Sequence, residues 1–220
     1  MLNSEILHLL LQGTLETIYM TLVSALIAYI LGLPLGVLLS VTDKNGIKPM
    51  KAVNAVLGFV INFLRSVPFI ILLVAIIPFT RFLVGTSLGS TATIVPLVVS
   101  AAPFIARMVE SSIKEVDGGV IEAAQSMGAS PFEIVMKVLL PEAKPSLIVG
   151  SAIAVTTILG YSAMAGFVGG GGLGTIGINY GYYRYQNDIM LVTVVLLVII
   201  VQLLQEIGMF VAKRTDKRIK

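Results

Sequence analysis

Few side chains in this 220-residue sequence belong to types that do covalent chemistry. Cysteine is absent and His8 is the one histidine, which excludes a disulfide framework, a thiolate nucleophile and a cysteine- or histidine-cluster metal site. His8 lies in a leucine-rich run and reads as an interfacial or packed side chain. Gly169, Gly171 and Gly174, in VGGGGLGTIG, have the G-x-G-x-x-G spacing of a dinucleotide-binding turn. That turn works only between a strand and a helix N-terminus. Here the run follows an apolar segment and reads as a flexible, tightly packed turn on the outer side. No G-x-x-x-x-G-K-[ST] occurs, so the chain has no phosphate-binding P-loop. No acid–base or metal-ligand constellation gathers in one stretch, which argues against an enzyme.

The elements that position the remaining polar residues are apolar. Hydrophobic residues make up 56% of the chain and charged residues 12%, against about a quarter charged in a soluble domain. A bilayer core about 30 Å thick needs roughly 20 apolar residues per helix, and five stretches qualify: 17–41, 52–79, 88–108, 147–168 and 189–212. The expected fold is an all-α integral membrane protein with five transmembrane helices in one domain over 1–220. Five crossings put the termini on opposite sides.

Charge orients them. No Lys or Arg precedes Lys44, so the first span lacks the basic start of a cleaved signal peptide. Lys44, Lys48 and Lys51 follow the first span. Arg107, Lys114, Lys137 and Lys144 lie between the third and fourth, and Lys213, Arg214, Lys217, Arg218 and Lys220 follow the fifth. Only Arg81 and Arg184 fall in the opposite loops. The positive-inside rule predicts an outside N-terminus, a cytoplasmic C-terminus and a cytoplasmic 107–146 segment. Topology alone accounts for the basic tail, which also suits anionic lipid, and the formal charge of +3 does not point to nucleic acid.

Residues 119–145, GVIEAAQSMGASPFEIVMKVLLPEAKP, cannot stay in lipid: they hold Glu122, Glu133, Glu142, Lys137 and Lys144. Asp117 is placed to cap a short helix through VIEAAQSM, ending at Gly128, the residue type that best takes a left-handed C-terminal position. Ser130, Pro131 and Glu133 form a capping box with proline at the first position of a second helix. Pro141 and Pro145 are expected to break that helix before the fourth span. Two well-capped helices over about 117–145 exceed what a connector needs and suit the transmission of force from a soluble partner.

Four features of the spans have roles to weigh. Thr156, Thr157, Gly160, Tyr161, Ser162 and Ala163 are small or polar, permitting close helix approach, and Tyr161 and Ser162 are candidates for a pore. Met164, flexible and polarisable, is a candidate gate, closing a narrow pore with a second copy across a two-fold axis. Arg65, before Ser66-Val67-Pro68, is costly within a span; it either pairs structurally, the favoured reading, or meets a substrate carboxylate in transit. Gly32 and Gly36 form a G-x-x-x-G helix contact, and Arg107, Glu110 and Lys114 an ion-paired inner end of the third span.

The loop resembles a known pattern. Glu122-Ala123-Ala124, then Gly128, then Leu140-Pro141 match the EAA loop of ABC importer permeases, with Val138 where the family usually has isoleucine. The strings FLRSVPFIILLVAIIPFTRFLVGTS, SAAPFIARMVESS and ILGYSAMAGFVGGGGLGTIG are similar to the methionine-importer branch of that family, and the similarity extends from about Thr14 to the last span. The resemblance implies a type I importer subunit in a prokaryotic cell membrane, working as a homodimer with two ATPase subunits and an extracytoplasmic substrate-binding protein, often a lipoprotein. It further implies that the ATPase holds ATP and Mg and closes on the EAA helix, switching the spans from inward- to outward-facing, with no cofactor in this chain. The cargo it implies is methionine, the alternative being another amino acid or a small peptide. A stand-alone carrier or channel would need ionisable groups at the midplane or inverted repeats, and the sequence shows no clear repeat.

Overall fold

The structure, a computed structural model, describes residues 4–215, and these form ten α-helices with short wider or tighter turns and no strand among them. Lys217, Arg218 and Lys220 of the basic tail lie outside the described residues. Three helices and the helical run Pro131–Tyr182 are long and apolar enough to cross a membrane, and a bent pair raises the number to five if it crosses as one span.

The first helix, α1 (Ser4–Thr42), starts well before the expected residue 17. Its added turns, SEILHLLLQGTLE, are mostly good helix formers, with one interior glycine. That glycine, Gly13, lodges against Gly172 and Ile176 near the other end of the chain. Along α1 the buried positions include Thr17, Thr21, Ala25, Ala28, Gly32 and Gly36, mostly four apart, so small residues form one face. This seam receives α5 (Ser90–Lys114). A Cβ on Gly32 would stand 2.8 Å from the Ala102 carbonyl oxygen, and one on Gly36 would overlap the Ala106 oxygen. The G-x-x-x-G contact is therefore made within the chain. α5 is the core helix, burying Leu97, Ala101, Ala102, Ile105, Ala106 and Val109.

The second expected span, 52–79, is not one helix. α2 (Lys51–Ser66) and α3 (Phe69–Ala75) meet at 100°. Pro68 disfavours helical geometry at the residue before it, and Val67 is extended (φ −81°, ψ 123°). The Ser66 hydroxyl donates to the Asn62 carbonyl at 2.8 Å and closes the last turn. A further helix, α4 (Ile77–Val84), ends at Gly85, whose φ is +81°.

After α5 come α6 (Gly118–Ser126) and α7 (Pro131–Ile134). Here the expectation of a proline break is corrected. α7 passes through a π-helical turn, Val135–Leu139, straight into α8 (Leu140–Met164). In a regular α-helix the Pro141 ring would meet the carbonyl four residues back, and the widened turn just before it relieves that clash. Pro145 is also accommodated inside α8. The result is one helical rod from Pro131 to Met164, about 50 Å long at the usual rise.

Beyond Met164 a tight turn (Ala165–Val168), α9 (Gly172–Ile176), a second π turn (Gly177–Tyr182) and α10 (Asn187–Thr215) complete the chain. The glycine run is pinned, not flexible. The Gly89 N–H donates to the Gly169 carbonyl at 2.9 Å and the Thr93 hydroxyl to the Gly170 carbonyl at 3.0 Å. Glu16 and Thr17 of α1 accept from the N–H groups of Gly172 and Leu173 at 2.8 and 2.9 Å. Gly169, Gly171 and Gly172 have positive φ, and no strand precedes them, so the run is a fold-back turn.

Candidate coupling loop and transport face

The two capped helices form as the sequence predicts. The Asp117 carboxylate accepts from the Gly119 N–H at 2.8 Å. Gly128 (φ +79°) reverses the chain, with its N–H on the Gln125 carbonyl and the Ala129 N–H on the Ala124 carbonyl. The Ser130–Glu133 capping box is complete: the Glu133 N–H donates to the Ser130 hydroxyl oxygen at 3.3 Å and the Ser130 N–H to Glu133 Oε2 at 3.0 Å. The Ser130 N–H first, then Lys137 at 3.0 Å and the Ser130 hydroxyl, pull the Glu133 carboxyl down to about 2.

Of the motif residues, Ala124 turns inward and, with Ile121, packs against the main apolar core. Glu122, Ala123 and Gly128 are exposed, Leu140 is half-buried and Pro141 is exposed on the rod. One side of the loop thus turns toward the core and the π turn Val135–Leu139 while the other faces outward. The motif reading missed the apolar residues on that outer side: Met127 is 86% exposed and Phe132 73%, with Met136 one turn after Phe132. Their signal in the sequence was large apolar side chains inside an otherwise polar loop.

An ionic chain anchors the same end. Arg107 donates to Glu110 at 2.6 Å, to Asn62 Oδ1 at 3.1 Å and to the Gly58 carbonyl at 3.2 Å. Lys114 bridges Glu110 at 2.7 Å and Asp43 at 2.8 Å. The expected ion pairing within α5 therefore extends to α2 and to the loop after α1. Hydrogen bonds from Lys114 and the Asn45 N–H lower the Asp43 carboxyl below its ordinary value.

At the far end of the rod the pore candidates separate. Met164 is half exposed as the last residue of α8. Tyr161, one turn earlier, stacks on Phe69 at 4.6 Å with the rings 6° from parallel, joining α3 to α8. Ser162 is buried and donates to the Leu159 carbonyl at 2.7 Å; it packs inward and does not join Met164 on the exposed face. Arg65 is exposed at the end of α2 and makes no hydrogen bond or ion pair with the described residues, so the structural pairing favoured from sequence is not found among them. Glu16, which the sequence reading did not single out, holds the turn that follows Met164.

Long apolar helices around a buried α5, with a capped loop projecting from one end, define a helical subunit built for a membrane. The chain belongs to the family of binding-protein-dependent transport system inner membrane components, whose model matches residues 32–220. It is 51% identical to the probable D-methionine transport system permease protein MetI of Vibrio cholerae, over 99% of this chain and 95% of that protein. It is 50% identical to the D-methionine transport system permease protein MetI of Escherichia coli K12, over 75% of this chain and 76% of that one. A chain of the MetNI methionine ABC transporter, solved in inward-facing conformations, superposes with a TM-score of 0.96 at 49% identity, over 98% of this chain and all of that one. An amino-acid ABC transporter crystallised with histidines shares the fold, with a TM-score of 0.79 at 18% identity over 96% of this chain and 95% of that one. The fold is that of a type I ABC importer permease, and the protein is a multi-pass membrane protein.

Proposed function

We propose that this chain is the permease subunit of an ATP-driven methionine importer, working as a homodimer with two ATPase subunits that hold ATP and Mg and with an extracytoplasmic binding protein. The observation that carries the reading is the unbroken rod from the capped loop to Met164. It lets a push on an exposed loop move a residue about 50 Å away without crossing a hinge. Near-full-length identity with methionine permeases supports the cargo. The basic-residue distribution supports an outside N-terminus and a cytoplasmic loop.

Glu122, Ala123, Ala124, Gly128, Leu140 and Pro141 shape the loop that the ATPase engages, with Met127, Phe132 and Met136 as its apolar contact. Two copies of Met164 close the pathway, and Tyr161 ties that gate to the broken span. ATP supplies the free energy, and this chain contributes two packings close in energy between which the partner selects. Uptake of labelled L- and D-methionine in an auxotroph lacking the gene tests the cargo, with other amino acids as competitors. Complementation should restore methionine uptake, and uptake that never depends on the gene overturns the reading.

A further inference from the structure

Arginines among the described residues nearly all have partners. Arg81 donates to Ser87, Arg107 donates to Glu110, Asn62 and Gly58, and Arg184 and Arg214 each lie over an aromatic ring at 4.5 Å. Arg65 is the one described arginine without any such partner.

Its position makes this costly. Arg65 is 14 residues after Lys51, the first residue of α2, which is about 21 Å along the helix axis. An α2 that runs along the membrane normal from an inner edge at Lys51 carries the guanidinium to hydrocarbon depth, where a cation needs water or a counter-group. The face it occupies is also informative. At 100° per residue Arg65 lies about 40° from the buried Ile61, and about 120 to 180° from the exposed apolar residues Val56, Phe59 and Phe63. The charge therefore points away from the apolar face of α2. One turn later, across the 100° break, Phe69 stacks on Tyr161, which shares the α8 face with Met164.

We propose that Arg65 is a cargo subsite of the permease itself, receiving the carboxylate of the zwitterionic amino acid as it passes the broken span; this rests on the importer reading above. A guanidinium fork fits a carboxylate through two parallel hydrogen bonds, which an ammonium cannot reproduce. Because no carboxylate among the described residues pairs with Arg65, cargo meets it without displacing a salt bridge they make.

The test uses the complete importer in proteoliposomes, with its ATPase subunits and with binding protein saturated with labelled L-methionine. Uptake rate and cargo-free ATP hydrolysis are read together. Arg65→Gln should lower maximal uptake about tenfold or more while cargo-free hydrolysis stays within about twofold, the scale expected for a lost charged hydrogen bond. Arg65→Lys should fall between Arg65→Gln and wild type. Wild-type uptake in Arg65→Gln overturns the subsite, as does a parallel fall of uptake and cargo-free hydrolysis, which marks a structural role. If Arg65→Gln does not assemble, Arg65→Lys decides: reduced uptake at normal hydrolysis supports the subsite, and unchanged uptake or loss of both overturns it. Wild-type vesicles that take up no methionine overturn the cargo reading, and the subsite with it.

Discussion

Glu133 and Met164 stand at the two ends of one helical rod, and each does its work through a single side chain. Glu133 closes the N-terminus of α7 as a carboxylate, and its value is lowered from an ordinary 4.5 to about 2. A lowered carboxyl stabilises the fold fully above its unfolded value and loses that effect as pH falls through the folded value. The capping contribution is therefore complete above about 4.5 and fades toward about 2. Thermal midpoints of wild type and Glu133→Gln in detergent should differ at about pH 6 and converge near about pH 2. A constant difference across that range assigns the effect to shape, not charge. The proposed gate role of Met164 rests on bulk: Met164→Ala should raise leak of methionine through vesicles without ATP, and unchanged leak excludes it as the closing residue.

The helices differ in how local their causes are, and this decides what was legible in the sequence. The caps of α6 and α7 depend on residues two or three positions apart, and Asp117, Gly128, Ser130 and Glu133 all act as their types suggest. The break after α2 was foreshadowed by Pro68, although its 100° angle was not. Pro141 misled, because a proline signals a break only if the neighbouring turn stays α-helical, and here it widens. Glu16 was invisible for another reason: its partner Gly172 is 156 positions away, and no local pattern pairs an acid in α1 with a glycine turn. The spacing of Gly32 and Gly36 was readable as a helix contact, and only the structure shows that α5 is the helix it meets. Gly36→Val drives a side chain into the Ala106 oxygen and Val109, and overpacking of this kind costs about 1 to 3 kcal/mol. It should lower the thermal midpoint measurably, whereas Gly118→Ala, with nothing within 4 Å of the new Cβ, should leave it near wild type. Equal effects of the two would remove the close seam as their cause.

Across the whole molecule, buried packing is concentrated on α5 while α2, α10 and one side of α1 remain largely exposed, as suits a chain surrounded by lipid and a second copy. The glycine turn, tied to α1 and α5 by hydrogen bonds, fixes one end of the bundle, and the ionic chain through Glu110 fixes the opposite one. Between them the rod from α7 links the exposed loop to Met164, the proposed gate. The most direct measurement is simultaneous ATP hydrolysis and methionine uptake in proteoliposomes holding the assembled importer, wild type against Gly128→Val. Gly128 needs a left-handed backbone, which costs a non-glycine residue roughly 1 to 2 kcal/mol, so valine there should reshape the loop tip. The account predicts that wild type couples hydrolysis to uptake, and that Gly128→Val, inserted at normal levels, loses uptake. Full uptake by a stably inserted Gly128→Val would contradict the claim that this loop carries the stroke to the gate.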